Sequence, residues 1–287
     1  MPIYDRKAED VGNIVKLEHV NVTQPDQRLA TLFYVAGLGF TRDPYIMVGL
    51  ENMWINMGRN QMHLPTADPQ RLRGTIGLIV PDLAALRQRL AQVAPALAET
   101  AFAFADQESF VAVTCPWGNR FRCHAPAEEF GAMELGLPYV EFDVPVGSAE
   151  KIVRFYREIM GCTAQLVQRD RAPAASVSAG DGQRLYFRET AEPPAPYDGH
   201  HIQIYIGDFS GPYRNLIERQ LITRETDAHE WRFRNIVDLD TNQPLFTVEH
   251  EVRSLRHPLY GRPLVNRNPA QTNRAYVRGQ DAFRGTY

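Results

Sequence analysis

The sequence predicts an α+β fold built from four βαβββ modules. Three observations predict it. Two segments share one strand–helix signature, two more repeat its layout, and all four close with short extended pieces separated by turn residues. Fixed-period self-similarity is the mark of a repeat architecture.

The first module, 14–67, opens on His19-Val20-Asn21-Val22, which alternates apolar and polar as a half-buried strand does. A polar helix start follows, then Phe33-Tyr34-Val35-Ala36-Gly37-Leu38-Gly39-Phe40, with Gly39 placed to end the helix in a left-handed cap. The module closes with Gln61-Met62-His63-Leu64. The second, 73–127, has Thr75-Ile76-Gly77-Leu78-Ile79-Val80, a helix over Leu83–Val93 and a closing strand Arg120-Phe121-Arg122. The third, 137–192, repeats the signature of the first: Glu141-Phe142-Asp143-Val144, then Phe155-Tyr156 and Gly161. Its Gly180-Asp181-Gly182 is a hairpin turn before Arg184-Leu185-Tyr186-Phe187. The fourth, 198–254, has His201-Ile202-Gln203-Ile204-Tyr205-Ile206, a helix around Tyr213–Arg219, and a last strand through Phe246-Thr247-Val248-Glu249-His250-Glu251.

Composition narrows the function. The chain has 287 residues, 44% hydrophobic and 23% charged, with net charge −3, so nothing electrostatic favours nucleic acid or an anionic membrane. No apolar run reaches the roughly 18–20 residues of a membrane span, and Met1 to Asn13 is too polar for a secretory signal. Cys115, Cys123 and Cys162 are odd in number and lack CxxC spacing. A Cys115–Cys123 disulfide fits the spacing; three reduced thiols in a cytoplasmic protein is the simpler reading. There is no phosphate-binding GxxxxGK[ST] and no GxGxxG. His229-Glu230 and His250-Glu251 begin like a zinc-protease motif, but Phe233 and Ser254 stand where its second histidine belongs.

The His-Val-x-Val opening, the Phe-Tyr and Leu-Gly-Phe that follow, and the closing Pro116-Trp117-Gly118-Asn119-Arg120-Phe121 resemble a module of the vicinal oxygen chelate superfamily of glyoxalases, bleomycin-resistance proteins and extradiol dioxygenases. The resemblance runs to about Val252. With four modules the chain looks most like the extradiol dioxygenases. It implies modules paired into two cupped, barrel-like sheets with helices outside, and a metal in the second pair. Consecutive pairing gives an N-terminal domain over 1–130, a C-terminal domain over 131–254 and an irregular Arg-rich tail over 255–287.

Alternation then selects the cup-facing side chains. With Phe142, Ile202, Ile204, Phe246 and Val248 under the helices, Glu141, His201 and Glu249 face the second cup, at positions where the superfamily carries metal ligands. Burying two carboxylates side by side is costly unless a cation or a proton intervenes, and this is the physical argument for a metal. The expected cofactor is a divalent metal, Fe²⁺ or Mn²⁺ first, with Zn²⁺ or Ni²⁺ as further options. Tyr186 stands about where the family's acid–base histidine lies. Gln203, Tyr205, Glu251, Arg253 and His257 are the expected substrate contacts.

One histidine with two carboxylates departs from the two-histidine, one-carboxylate set of extradiol enzymes, and is closer to glyoxalase-like lyases and isomerases. His19, His63 and Arg122 form a second candidate pocket in the first cup, where an arginine at a ligand position repels a cation and Arg120 with Arg122 suits an anion. The expected activity is metal-dependent chemistry on a small oxygen-rich substrate. The alternative is a metal-free binder that sequesters a small molecule. The tail wraps its own domain or a neighbouring subunit, which leaves a homo-oligomer open.

Overall fold

The computed structural model describes residues 6–46, 51–268 and 270–283. The expected modules are all present. The first contains β1 (Ile14–Asn21), α1 (Gln27–Ala30) continued by a π-helical turn over Thr31–Gly37, β2 (Thr41–Arg42), β3 (Asn52–Met57) and β4 (Asn60–Pro65). The second contains β5 (Gly74–Ile79), α2 (Leu83–Val93), β6 (Ala103–Asp106), β7 (Val111–Thr114) and β8 (Arg120–His124). The third contains β9 (Tyr139–Pro145), α3 (Ala149–Glu158), β10 (Ala164–Arg169), β11 (Ala172–Ser178) and β12 (Arg184–Thr190). The fourth contains β13 (His201–Ile206), α4 (Ser210–Glu218), β14 (Ile222–Asp227), β15 (Glu230–Val237) and β16 (Pro244–Ser254).

Local signals act as read from the sequence. The Asp26 carboxylate accepts hydrogen bonds from the amides of Arg28 and Leu29 (2.8 and 2.9 Å) and so starts α1. Gly39 and Gly161 sit at φ +82° and +66°, the left-handed conformation that ends a helix without a side-chain clash. All three cysteines are buried free thiols, and burial pushes Cys123 and Cys162 up to about 12. Among the described residues no helix is long and apolar enough to cross a membrane.

The modules form two eight-stranded mixed sheets. The first runs β14-β15-β16-β13-β1-β4-β3-β2 and the second β10-β11-β12-β9-β5-β8-β7-β6. Module one therefore shares a sheet with module four, and module two with module three. This corrects the expected sharing of sheets between consecutive modules and, with it, both expected ligand sets, although the two compact units of the chain still group consecutive modules. The reason is physical: every module offers its first strand as an equivalent edge, and sequence adjacency does not choose among four such edges.

The chain folds into two compact units. One comprises Met1–Leu17, Phe142–Ala195 and Gln203–Tyr260; the other comprises Glu18–Glu141, Pro196–Ile202 and Gly261–Tyr287. In the first, Phe142, Phe187 and Phe246 pack under the helices, with Phe142 stacked on Phe187 at 5.3 Å. His250 lies on the same side. Its Nε2 accepts from the Tyr156 hydroxyl of α3 (2.6 Å), its Nδ1–H donates to the Val248 carbonyl (2.9 Å), and its ring stacks on Phe233. Burial lowers His250 from 6.5 to about 4.

In the second unit Phe33 and Tyr34 of the first helix pack on Phe121 of β8. The tail ties down onto the first module. Arg262 donates to the Asp43 carboxylate at 2.7 Å, and the Asn266 side chain bridges the amide and carbonyl of Gly58. Burial raises the Asp43 carboxyl, but Arg262 and the amides of Tyr45 and Ile46 outweigh it and hold it below the ordinary range. Arg284, the last arginine of the tail, lies outside the described residues.

This packing makes Arg262 and His250 testable. Arg262→Ala removes the guanidinium paired with the fully buried Asp43 carboxylate, leaving it only amide donors from Tyr45, Ile46 and Gln61, and is expected to cost about 3 kcal/mol. A double variant with Asp43→Asn recovers part of that loss. Thermal melts check both, and an unchanged midpoint in Arg262→Ala would show that the tail is not held through Asp43. The test of His250 uses acid. Its lowered value means the neutral ring is favoured in the folded state. Its contribution, about 3 kcal/mol from 6.5 to about 4, is complete above pH 6.5 and is lost as pH falls toward 4. Denaturant titrations from pH 7 to 4 on His250→Gln should lose this slope; a slope equal to that of the unaltered protein refutes the assignment.

Candidate metal centre

Among the described residues, one group of three or more His, Cys, Asp or Glu side chains brings its ligand atoms within 4.8 Å of one another: His19, His63 and His201. The three come from β1, β4 and β13, which lie side by side in the first sheet. β1 pairs in parallel with β4, with His19 opposite Gln61 and Asn21 opposite His63. Val20, Met62 and Ile202 are fully buried, and alternation turns His19, His63 and His201 to the opposite, cup-facing side.

His19 meets each of the other two rings edge to face, 5.8 Å from His63 and 5.9 Å from His201. Trp54 of β3 stacks on His63 at 3.8 Å and meets His19 edge-on at 4.9 Å. The His63 Nε2–H donates to the Asn52 side-chain oxygen at 2.6 Å. That bond places the ring proton on Nε2 and the lone pair on Nδ1, the kind of outer partner that orients a metal-binding imidazole.

The start of β13 is fixed from outside the sheet. Gln70 accepts from the Thr23 amide (3.1 Å) at the end of β1 and donates to the Asp198 carbonyl (3.0 Å). The Asp198 carboxylate accepts from the Arg71 amide and from His200 Nδ1, both at 2.6 Å. Burial holds His200 below its ordinary value despite the nearby carboxylate. Burial raises Asp198, but His200 and the Arg71 amide lower it further than that. His200 is fully buried and stands outside the histidine cluster, as the strand register requires.

The structure thus unites His201 from one expected set with His19 and His63 from the other. It does not assemble Glu141, His201 and Glu249. Glu141 lies on β9 of the second sheet, 3.8 Å from Arg122 of β8. Glu249 is held by Arg232 and Arg234 (2.9 Å each), and Glu251 by Arg232 (2.5 Å) and Arg253 (2.6 Å). Arg122 likewise leaves the pocket it was expected to share with His19 and His63. Tyr186, expected as acid–base group, is on β12 of the second sheet with the Arg169 guanidinium 4.1 Å over its ring.

The expected substrate contacts lie together in the first compact unit. Tyr205 is 6.3 Å from His257 and 4.9 Å from Tyr260 between ring centroids. Gln203 is fully buried with no hydrogen-bond partner for either amide atom. Sequence reasoning missed Asn52 and Trp54. Their alternation on β3 was the available signal, but which strand they flank depends on the sheet order.

The residues present fit a divalent metal ion. Imidazole is a good donor for Zn²⁺, Ni²⁺ and Fe²⁺, and three converge. No protein-family model matches the chain, and no curated protein sequence does. Solved structures do. Glyoxalase I from Zea mays is 11% identical, covers 83% of this chain and 92% of its own, and superposes with a TM-score of 0.59. A candidate dioxygenase from Bacillus subtilis subsp. subtilis str. 168 is 12% identical, covers 84% of this chain and 86% of its own, and has a TM-score of 0.57. At these identities the likeness is one of fold: the chain shares with these two structures its arrangement of βαβββ modules in mixed sheets.

His201→Ala is expected to lose bound metal and His200→Ala to keep it, as measured by elemental analysis of the purified variants. Asn52→Ala, which frees the His63 ring, should weaken affinity about 10–100-fold. Equal metal loss from the His200 and His201 variants would show that the strand register assigned to β13 is wrong.

Proposed function

We propose that the protein is a metal-dependent enzyme acting on a small oxygen-rich substrate, with His19, His63 and His201 holding a divalent ion. The convergence of three imidazoles from three adjacent strands carries this reading. An ion held there supplies a Lewis acid that polarises adjacent substrate oxygens.

The chain's own residues set the conditions. Asn52 Oδ1 accepts from His63 Nε2, and Trp54 stacks on that ring and limits its rotation. His19 is fully buried, which fixes its ring before a ligand arrives. Three imidazoles add no negative charge, so the full charge of the ion is available to substrate oxygens. O₂-activating iron sites usually present two histidines and a carboxylate. The all-imidazole set therefore favours a lyase or isomerase over ring cleavage. It also favours Zn²⁺, Ni²⁺ or Fe²⁺ over Mn²⁺, which prefers oxygen donors.

Purified protein incubated with these four ions in competition and then desalted is expected to retain about one equivalent, with Zn²⁺ or Ni²⁺ far ahead of Mn²⁺. His63→Ala should retain none. Protein that stays metal-free after excess of all four ions would sink the proposal and leave a metal-free small-molecule binder of the same fold.

A further inference from the structure

The second sheet repeats the geometry of the first with different side chains. In the first sheet Val20 is opposite Met62 across β1 and β4; in the second Ile76 is opposite Phe121 across β5 and β8. These registers make Thr75 the counterpart of His19 and Arg122 the counterpart of His63. Glu141, one residue before the buried Phe142, is likewise the counterpart of His201, one residue before the buried Ile202. The contact between counterparts is retained. In the first sheet His63 meets His201, and in the second Arg122 lies 3.8 Å from the buried Glu141 carboxylate. A guanidinium, permanently charged, stands where the first sheet gathers ligands for a cation.

Beside it is a cavity of ≈ 330 Å³ whose lining includes Thr75, Phe104, Gln107, Phe110, Arg120 and Arg122. The Arg122 guanidinium lies over the Phe110 ring at 5.4 Å. Arginines 120 and 122 alternate along β8, and the lining holds no carboxylate. Arg120 Nε donates to the Gly74 carbonyl at 3.1 Å, and Arg122 stands 3.8 Å from Glu141. Phenylalanines beside paired guanidiniums suit a flat apolar body carrying one anionic group, and the arginine fork matches a carboxylate with two parallel hydrogen bonds.

We propose that this cavity is a second, metal-independent binding site for a small aromatic carboxylate, with Arg122 engaging the carboxylate and Phe110 packing on the ring. The full chain titrated calorimetrically with benzoate should bind it saturably. Arg122→Lys keeps a charge beside Glu141 but removes the fork, and is expected to weaken benzoate at least tenfold. Ala112→Leu fills the cavity from the residue directly opposite Arg122 and should weaken it as much without altering any charge. His63→Ala should leave benzoate affinity unchanged, which separates this site from the histidine cluster. Thermal melts confirm that each variant is folded. Affinity unaltered in both Arg122→Lys and Ala112→Leu, no saturable benzoate binding, or inorganic phosphate binding as tightly as benzoate would each overturn the proposal.

Discussion

The pairing of β1 with β13 in the centre of the first sheet is the constraint on which the candidate site depends. It joins the beginning of the chain to its fourth module and sets His201 beside His19. Strand pairing by itself tolerates slips of register, and a one-residue slip would turn His201 to the helix side and His200 into the cup. Side chains remove that freedom. Ile202, Ile204 and Ile206 are buried on one face. Asp198 fastens the segment before β13 to Arg71 and, through Gln70, the end of β1. The two segments that carry the chain between sheets, after β4 and before β13, are thereby bonded to each other. The register of the histidines follows from that junction.

Much of this was legible in the sequence. Alternating residues and the paired glycines point to four modules whose strand and helix order the structure reproduces. The assignment of faces agrees with the structure at β16, where His250 points to α3 and Glu249 and Glu251 lie on the other side. Module pairing was not legible. Glu141 and His201 open their strands with the same pattern, polar residue before buried apolar one, and nothing local distinguishes a strand that will neighbour β1 from one that will neighbour β5. Ligand sets built on sequence adjacency therefore mixed residues of two sheets. Long-range pairing is decided by the whole set of side chains at the seam.

Electrostatics explains why the carboxylates stand apart from the cluster. Glu230, Glu249 and Glu251 on β15 and β16 meet Arg232, Arg234 and Arg253 in a ladder of ion pairs, most of it shielded from solvent. Three acids against three bases leaves the ladder neutral, and burial of any one of these charges without its partner would be costly. Burial raises no net obstacle for Arg232; the surrounding carboxylates keep its charge favoured. Acids committed to such a ladder are poor candidates to leave it for a metal ion.

The two sheets meet the same demand in opposite ways. A buried carboxylate is costly without a nearby cation, and Arg122 places a guanidinium 3.8 Å from Glu141. Three imidazoles make no such demand, because each is stable as a neutral ring. A cluster of carboxylates emptied of its ion would suffer mutual repulsion and shift toward protonation; emptied imidazoles suffer neither. An ion proposed for the first sheet would leave behind neutral rings, whereas removing Arg122 from the second would leave the buried Glu141 without that cation. That difference is consistent with the proposed cation site in the histidine sheet, and it places a guanidinium at the counterpart position of the other sheet, on one backbone design.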